Sequence, residues 1–317
     1  MKDTKHKILT LAALTTIAAG VIHLTNRVIV ASSQLKEMLD FSNHNYYNWR
    51  FGKIYYTKKG KGSPLLLIHD TMPGASGYEW SRVEDQLAQE HTVYTLDLLG
   101  CGRSEKAGIT YTNFLFVQII CDFIKNVIKE KTDIIASGFS CSFVTTAAAY
   151  DKESINKIMF INPVSMISLA QTTTKKDKLF KFFIELPIFG TFIYHIIVSR
   201  ETINDFFLDN LYYNPFHVDK DVLDAYYEAA HKGGYYAKCL YSSQSAKYMN
   251  INIRHAVESI DNSIYIVEGE AENNGEAIVE AYQNVNPSVE VATLKETKHF
   301  PHVEVPEQFL EQVGIFF

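Results

Sequence analysis

A mostly parallel α/β sheet, flanked by helices and interrupted by a helical insertion, is the fold class this sequence predicts. Three observations predict it. From Asn45 onward, strand-length apolar runs alternate with helix-length segments. The run Leu65-Leu66-Leu67-Ile68 is continuous rather than alternating, as in a strand buried on both faces. From about Ser165 to His255 the helical period persists without strand signals, and strands resume at Ile264–Val267 and Val289–Leu294.

Taken in order, the chain opens with Lys2, Lys5 and Lys7 ahead of an apolar run from Ile8 to Leu24. As a helix that run reaches about 25 Å, slightly short of a hydrocarbon core of roughly 30 Å. Val28–Ala31 extends it if Asn26 and Arg27 sit at the interface. An uncleaved anchor over residues 1–33 is the expectation. A signal peptide is its rival, although Ile29-Val30-Ala31 is a poor cleavage site, and a helix packed on the domain is the third reading. The lysines favour a cytoplasmic N-terminus, which leaves the rest of the chain outside the cytoplasm at the cell membrane.

Tyr46–Arg50 and Lys53–Thr57 read as a hairpin around Phe51-Gly52. The buried strand at Leu65 follows, then a helix over about Tyr78–Gln89 and a strand over Thr92–Leu96. Thr112–Lys129 carries apolar residues at helical spacing, among them Leu115, Ile119, Phe123 and Val127. Asp133–Ala136 is a short strand, Cys141–Tyr150 a helix and Lys157–Asn162 a strand. Pro306–Phe317 closes the chain as a helix. The core is therefore expected at 44–164 and 256–317, with the helical insertion at 165–255.

Composition excludes several functions. A net charge of −6 without a basic run argues against nucleic acid as a partner. The four cysteines form no C-x-x-C pair, so neither a zinc site nor thioredoxin-like chemistry is expected. A hydrophobic fraction of 47% suffices for a packed core, and the many Phe and Tyr residues fill that core or line a greasy pocket.

The chemistry-bearing candidate is Gly138-Phe139-Ser140-Cys141-Ser142, between a short strand and a helix. A serine on a tight strand-to-helix turn projects its hydroxyl above the sheet edge, and small residues on either side let strand and helix approach. The helix start supplies N–H groups to a developing oxyanion. Read alone, the five residues also fit an ordinary turn with a capping serine.

With Leu65–Asp70, Asp97-Leu98-Leu99-Gly100-Cys101-Gly102-Arg103-Ser104 and Lys298-His299-Phe300-Pro301-His302-Val303-Glu304-Val305-Pro306, the chain resembles the α/β-hydrolase family in its capped branch. The resemblance covers about Tyr47–Phe317 apart from most of the insertion, which it makes a cap. It implies Ser140 as nucleophile, His299 as its base and Glu272 as the acid orienting His299, with Glu270 the alternative. It implies oxyanion donors at the N–H of Cys141 and at that of Thr71 or Asp70. His302 is expected to pack beside the closing helix. No metal or organic cofactor is implied.

One departure bears on the reaction. The family has His-Gly where this chain has His69-Asp70. An anion about 6 Å from a developing oxyanion costs roughly 2–3 kcal/mol at an effective dielectric near 20. The carboxylate must point away, pair with a cation such as Arg103, or be protonated; otherwise the site does other chemistry. The expected activity is a membrane-anchored serine hydrolase cleaving a carboxylic ester, either a small molecule or a lipid. A non-hydrolytic binding protein, or a lyase or perhydrolase, are the alternatives; with Ser140 in the nucleophile slot the resemblance argues against epoxide hydrolase and haloalkane dehalogenase activity, whose relatives place Asp there. The sequence does not indicate an oligomeric state.

Overall fold

The computed structural model describes residues 2–39 and 45–317, with the side chains of 2–5 and 8 excluded. The expected core boundary at residue 44, and the side chains of Lys2 and Lys5, lie outside the described residues. The chain opens with α1 (Lys2–Ser33), whose Leu9–Ser33 segment is long and apolar enough to cross a membrane. Two strands follow, β1 (Asn45–Trp49) and β2 (Gly52–Lys59), paired antiparallel as expected. β3 (Ser63–Ile68), α2 (Glu84–Leu87), β4 (His91–Leu96), α3 (Asn113–Phe123) and β5 (Thr132–Ser137) begin the alternation. α4 (Cys141–Tyr150) and β6 (Ile155–Ile161) continue it.

Between β6 and the next strand the chain is helical. It runs through α5 (Met166–Leu169), α6 (Lys175–Glu185), α7 (Phe189–Ile197), α8 (Arg200–Phe206), α9 (Lys220–His231), α10 (Lys238–Ser245) and α11 (Arg254–Ser259). β7 (Ile264–Gly269), α12 (Gly275–Val285), β8 (Glu290–Leu294), α13 (Pro301–Glu304) and α14 (Pro306–Phe316) complete the fold. The eight strands form one sheet in the order β1-β2-β4-β3-β5-β6-β7-β8. β1, β2 and β4 pair antiparallel, and all other neighbours are parallel.

Parallel strands demand cover on both faces. One face packs Ile68, Ile134, Phe160 and Ile266 against Phe116 and Phe123 of α3, Phe143 of α4 and Tyr282 of α12. The other packs Leu65, Leu67, Ile135 and Val267 against Leu87 of α2 and Phe309 and Val313 of α14. A third cluster joins the inserted helices to the loop after β3 through Met72, Tyr194, Phe207, Tyr226 and Phe300.

One expected helix is broken, and another keeps its expected length but changes winding in its last turn. Over Tyr78–Gln89 the chain makes a 3₁₀ turn at Gly77–Trp80 and then α2. Glu79 and Glu84 are both buried. Residues five apart lie about 140° apart on one helix, so a continuous helix could not turn both inward. The helix expected over Thr112–Lys129 is α3 followed by a π-helical turn at Ile124–Ile128, closed by Lys129 at φ +67°.

Candidate active site

Four chain segments converge at the C-terminal ends of the parallel strands, where open α/β sheets place their ligands. The first follows β3. His69 is fully buried, and its Nε2 accepts the Leu98 N–H at 3.0 Å. Its Nδ1 therefore carries the proton and donates to the Asp70 carbonyl. This fixes the backbone from which the Asp70 carboxylate projects.

That carboxylate is the centre of the site. Its Oδ1 accepts two backbone N–H groups, from Thr71 at 2.6 Å and from Phe139 at 2.9 Å. Its Oδ2 lies 3.2 Å from Nε2 of His299. On its far side, His299 places Nδ1 3.2 Å from Oε2 of Glu272, in the turn after β7. The His299 side chain is 15% exposed and that of Asp70 9%. Burial alone would lower the imidazole pKa. The bonds and charges of Asp70 and Glu272 outweigh it and raise the pKa to about 10. The raised value favours the protonated ring, which can donate to a carboxylate on each side.

The second segment is the turn after β5. Gly138 has φ +54°, the left-handed conformation that the elbow of this fold requires. A Cβ built on Gly138 would lie 2.2 Å from Oδ2 and 2.3 Å from Cγ of Asp70. The Asp70 carboxylate thus fills the space an elbow side chain would occupy, having entered from the neighbouring strand. Gly138→Ala should cost about 1–2 kcal/mol from backbone strain alone and should expel the carboxylate. A fall in melting temperature, with loss of any Asp70-dependent activity, is the outcome to measure.

Three sequence expectations meet a different geometry. Ser140 is the third residue of the turn, not its apex. It has ordinary helical dihedrals, is fully buried, and donates its hydroxyl to the His69 carbonyl at 2.6 Å. The group that the imidazole meets is Asp70. The N–H of Cys141 closes the turn onto Gly138 and Phe139 carbonyls, so the donor on this side is the Phe139 N–H. The N–H of Asp70 donates to Glu79 at 3.1 Å rather than facing the hole, whereas that of Thr71 does face it. The register explains the first two differences. Ala136-Ser137-Gly138-Phe139-Ser140 has the small-x-elbow-x-small spacing with glycine at the elbow, two residues earlier than the serine motif suggested.

The remaining candidates fall into place around this centre. Glu270 accepts the Glu296 N–H at 3.2 Å and turns away from His299. Arg103 grips Asp97 through Nε and a terminal nitrogen at 2.7 and 2.8 Å, so its fork serves Asp97 and not Asp70. Burial would raise the Asp97 pKa, but Arg103 holds it at about 2. His302 is buried against Trp80, with ring centroids 4.7 Å apart, and its Nε2 lies 3.3 Å from Glu79. Sequence reading missed Glu79. Among the described residues its carboxylate joins Ser137, His302 and the Asp70 amide beneath the site.

Two residues along the chain from Asp70, an apolar pocket of about 250 Å³ opens between Met72-Pro73 and the inserted helices, lined by Val198, Ile203, Phe206 and Tyr241. The Tyr226 hydroxyl is buried without a partner among the described residues. Burial raises its pKa, and the charges of Glu79 and Asp70 add to the rise.

An α/β sheet of this topology, with a site built from the turns after β3, β5, β7 and β8, defines a hydrolase-type scaffold. The sequence matches the Alpha/beta hydrolase family over residues 65–312, and the chain belongs to that family. It is 28% identical over 114 residues to 2-hydroxy-6-oxo-6-(2'-aminophenyl)hexa-2,4-dienoic acid hydrolase of Metapseudomonas resinovorans, covering 35% of this chain and 39% of that protein. It is 29% identical over 109 residues to the soluble epoxide hydrolase of Corynebacterium sp. (strain C12), covering 34% and 37%. The matches thus span less than half the length of these relatives. Among solved structures, a membrane phospholipase A superposes with TM-score 0.68 at 18% identity, covering 98% of this chain and 97% of that one. At that identity the likeness is one of fold.

Proposed function

We propose that this protein is a hydrolase whose covalent nucleophile is the Asp70 carboxylate, with His299 and Glu272 as its proton relay, acting on an apolar epoxide. The observation that carries this reading is the placement of the two Asp70 oxygens. Oδ1 lies between two backbone N–H donors and Oδ2 faces His299. A carboxylate so held is aligned to attack with Oδ2, while the donors on Oδ1 serve as an oxyanion hole for the next step.

The chemistry of the nucleophile selects the substrate. Carboxylate attack on an ester carbonyl gives an anhydride, which is uphill. Attack on a saturated electrophilic carbon gives an ester, which water can then cleave. An epoxide also closes the proton balance. Oδ2 forms a bond to one ring carbon as its C–O bond breaks, and the resulting alkoxide takes the proton stored on the His299 imidazolium. The neutral imidazole then takes a proton from water as that water attacks Cγ of Asp70. The tetrahedral oxyanion develops on Oδ1. Collapse expels the diol, and the carboxylate and imidazolium are regenerated with no net proton consumed. The relative that is an epoxide hydrolase supports this choice. The apolar pocket beside Met72 would hold the hydrophobic part of the substrate, and helices 165–255 would act as the cap over it.

Ester cleavage, expected from the serine motif, is less well served under this reading: among the described residues the imidazole hydrogen-bonds to Asp70 and Glu272, and the Ser140 hydroxyl is committed to the His69 carbonyl. The α1 helix would anchor the enzyme as a single span, which its length and apolar character support; the three lysines before it favour a catalytic domain outside the cytoplasm.

A single turnover in ¹⁸O-water tests the mechanism, with enzyme in excess over a long-chain terminal epoxide. The label should appear in the peptide bearing Asp70, and the first diol released should be unlabelled. Label in the first diol with none on Asp70 would mean direct attack by water and would sink the proposal. Absence of any turnover or adduct would favour a non-hydrolytic binding protein.

A further inference from the structure

We propose that the α6–α7 hairpin is a second membrane-contact element, seated in the interfacial layer of the leaflet where α1 emerges. The inference rests on reading α1 as an anchor. Leu179, Phe182, Phe183, Phe189, Ile193 and Ile196 on these two helices are each 41–59% exposed. So many large apolar side chains on one short hairpin are unusual for a surface bathed only by water.

The height of the hairpin relative to α1 identifies what covers it. The Asn26 side chain donates to the carbonyl of Ile188, in the turn joining α6 to α7, at 3.0 Å. From Asn26 toward Ser33, α1 packs on the inserted helices, and Asn26 and Ser33 are buried. On the other side of Asn26, Leu9, Leu14, Ile17, Val21 and Leu24 are all about two-thirds exposed. Leu9 to Asn26 rises about 26 Å, close to the thickness of a hydrocarbon core. The bilayer boundary therefore falls at Asn26, and the α6–α7 turn lies on it.

The two helices meet at 103° and hold only 11 and 9 residues, too short to span. Such a pair lies shallowly, with its aromatic side in the acyl–headgroup boundary. Lys175, Lys176 and Lys178 are exposed on the first turn of α6, where they would meet anionic phosphates. At the end of α7 and beyond it, Ile197, Val198 and Ile203 begin the apolar pocket that reaches Met72, two residues from Asp70. A lipophilic substrate would leave the leaflet along this route without crossing water.

Depth-dependent quenching tests the placement. Full-length protein is reconstituted in phosphatidylcholine–phosphatidylglycerol vesicles carrying doxyl-labelled lipids. Four tryptophan variants are compared after subtracting the signal of the unsubstituted protein, whose Trp49 and Trp80 are buried. Phe182→Trp and Ile193→Trp should be quenched at least about twofold more strongly by shallow doxyl groups than Tyr150→Trp on the core. Ile17→Trp should be quenched most by deep ones. Quenching at position 17, with 182 and 193 behaving like 150, would overturn the hairpin proposal and leave the anchor standing. No lipid quenching at any of the four would overturn both.

Discussion

Asp70→Asn abolishes turnover, with kcat/KM falling by a factor on the order of 10³–10⁴ or more, while Ser140→Ala stays within about tenfold of the parent. Asparagine has nearly the same shape as aspartate. Its amide oxygen can keep the Thr71 and Phe139 N–H bonds, so the loop need not move. What is lost is the negative charge and the nucleophilic oxygen facing His299. Removing one of the two flanking carboxylates also lowers the His299 pKa from its value of about 10. That fall, read by NMR titration of the imidazole, reports the electrostatic role of Asp70 independently of activity. Ser140→Ala instead removes one neutral bond to the His69 carbonyl, worth about 1 kcal/mol of stability. The reverse ranking, with Ser140→Ala inactive and Asp70→Asn active, would return the nucleophile to the serine.

The sheet was legible because burial on both faces leaves a signal that survives in one sequence. Leu65-Leu66-Leu67-Ile68 and the apolar stripe of α3 identify their own partners. That His299 and Glu272 come together was legible from the residues around the histidine and from the place of the glutamate after β7. The elbow was misread for a physical reason. A serine and a glycine two residues apart satisfy the same small-residue pattern in two registers. Only the backbone dihedral tells which residue is the apex, and the φ of +54° belongs to Gly138. Asp70 stood out in the sequence as an electrostatic problem for an oxyanion next to it. Under the proposed reading the problem disappears, because the carboxylate itself occupies the hole. Glu79 left no signal at all. Its function beneath the site depends on β5 lying beside β3 in the sheet, which local sequence does not encode.

The largest separation of steps is expected from His299→Gln. The two half-reactions make different demands on the imidazole. Alkylation of Asp70 by a substrate whose leaving group departs as a stable anion, such as a primary alkyl bromide, needs no proton. Hydrolysis of the resulting ester needs a base. In the His299→Gln variant the first step proceeds and the second slows by about 10²–10⁴, so the enzyme accumulates as its Asp70 ester. Intact-protein mass spectrometry should find one alkyl group per chain, and peptide mapping should place it on Asp70. The thiols are poor competitors, since burial raises the pKa of Cys141 well above the usual range and that of Cys239 to about 11.

In the parent enzyme the same probe exposes the pH logic. While Asp70 is charged, His299 sits between two anions with a pKa of about 10 and cannot accept a proton at pH 7. Esterification removes the Asp70 charge and leaves Glu272 as the sole anionic partner, so the imidazole pKa drops. Ester hydrolysis should therefore accelerate as pH rises through that lowered value and then level off below pH 10. The acceleration should be absent in His299→Gln. A pH-independent hydrolysis step in the parent enzyme, or an adduct on any residue but Asp70, would contradict the assignment of His299 as the base acting on an aspartyl ester.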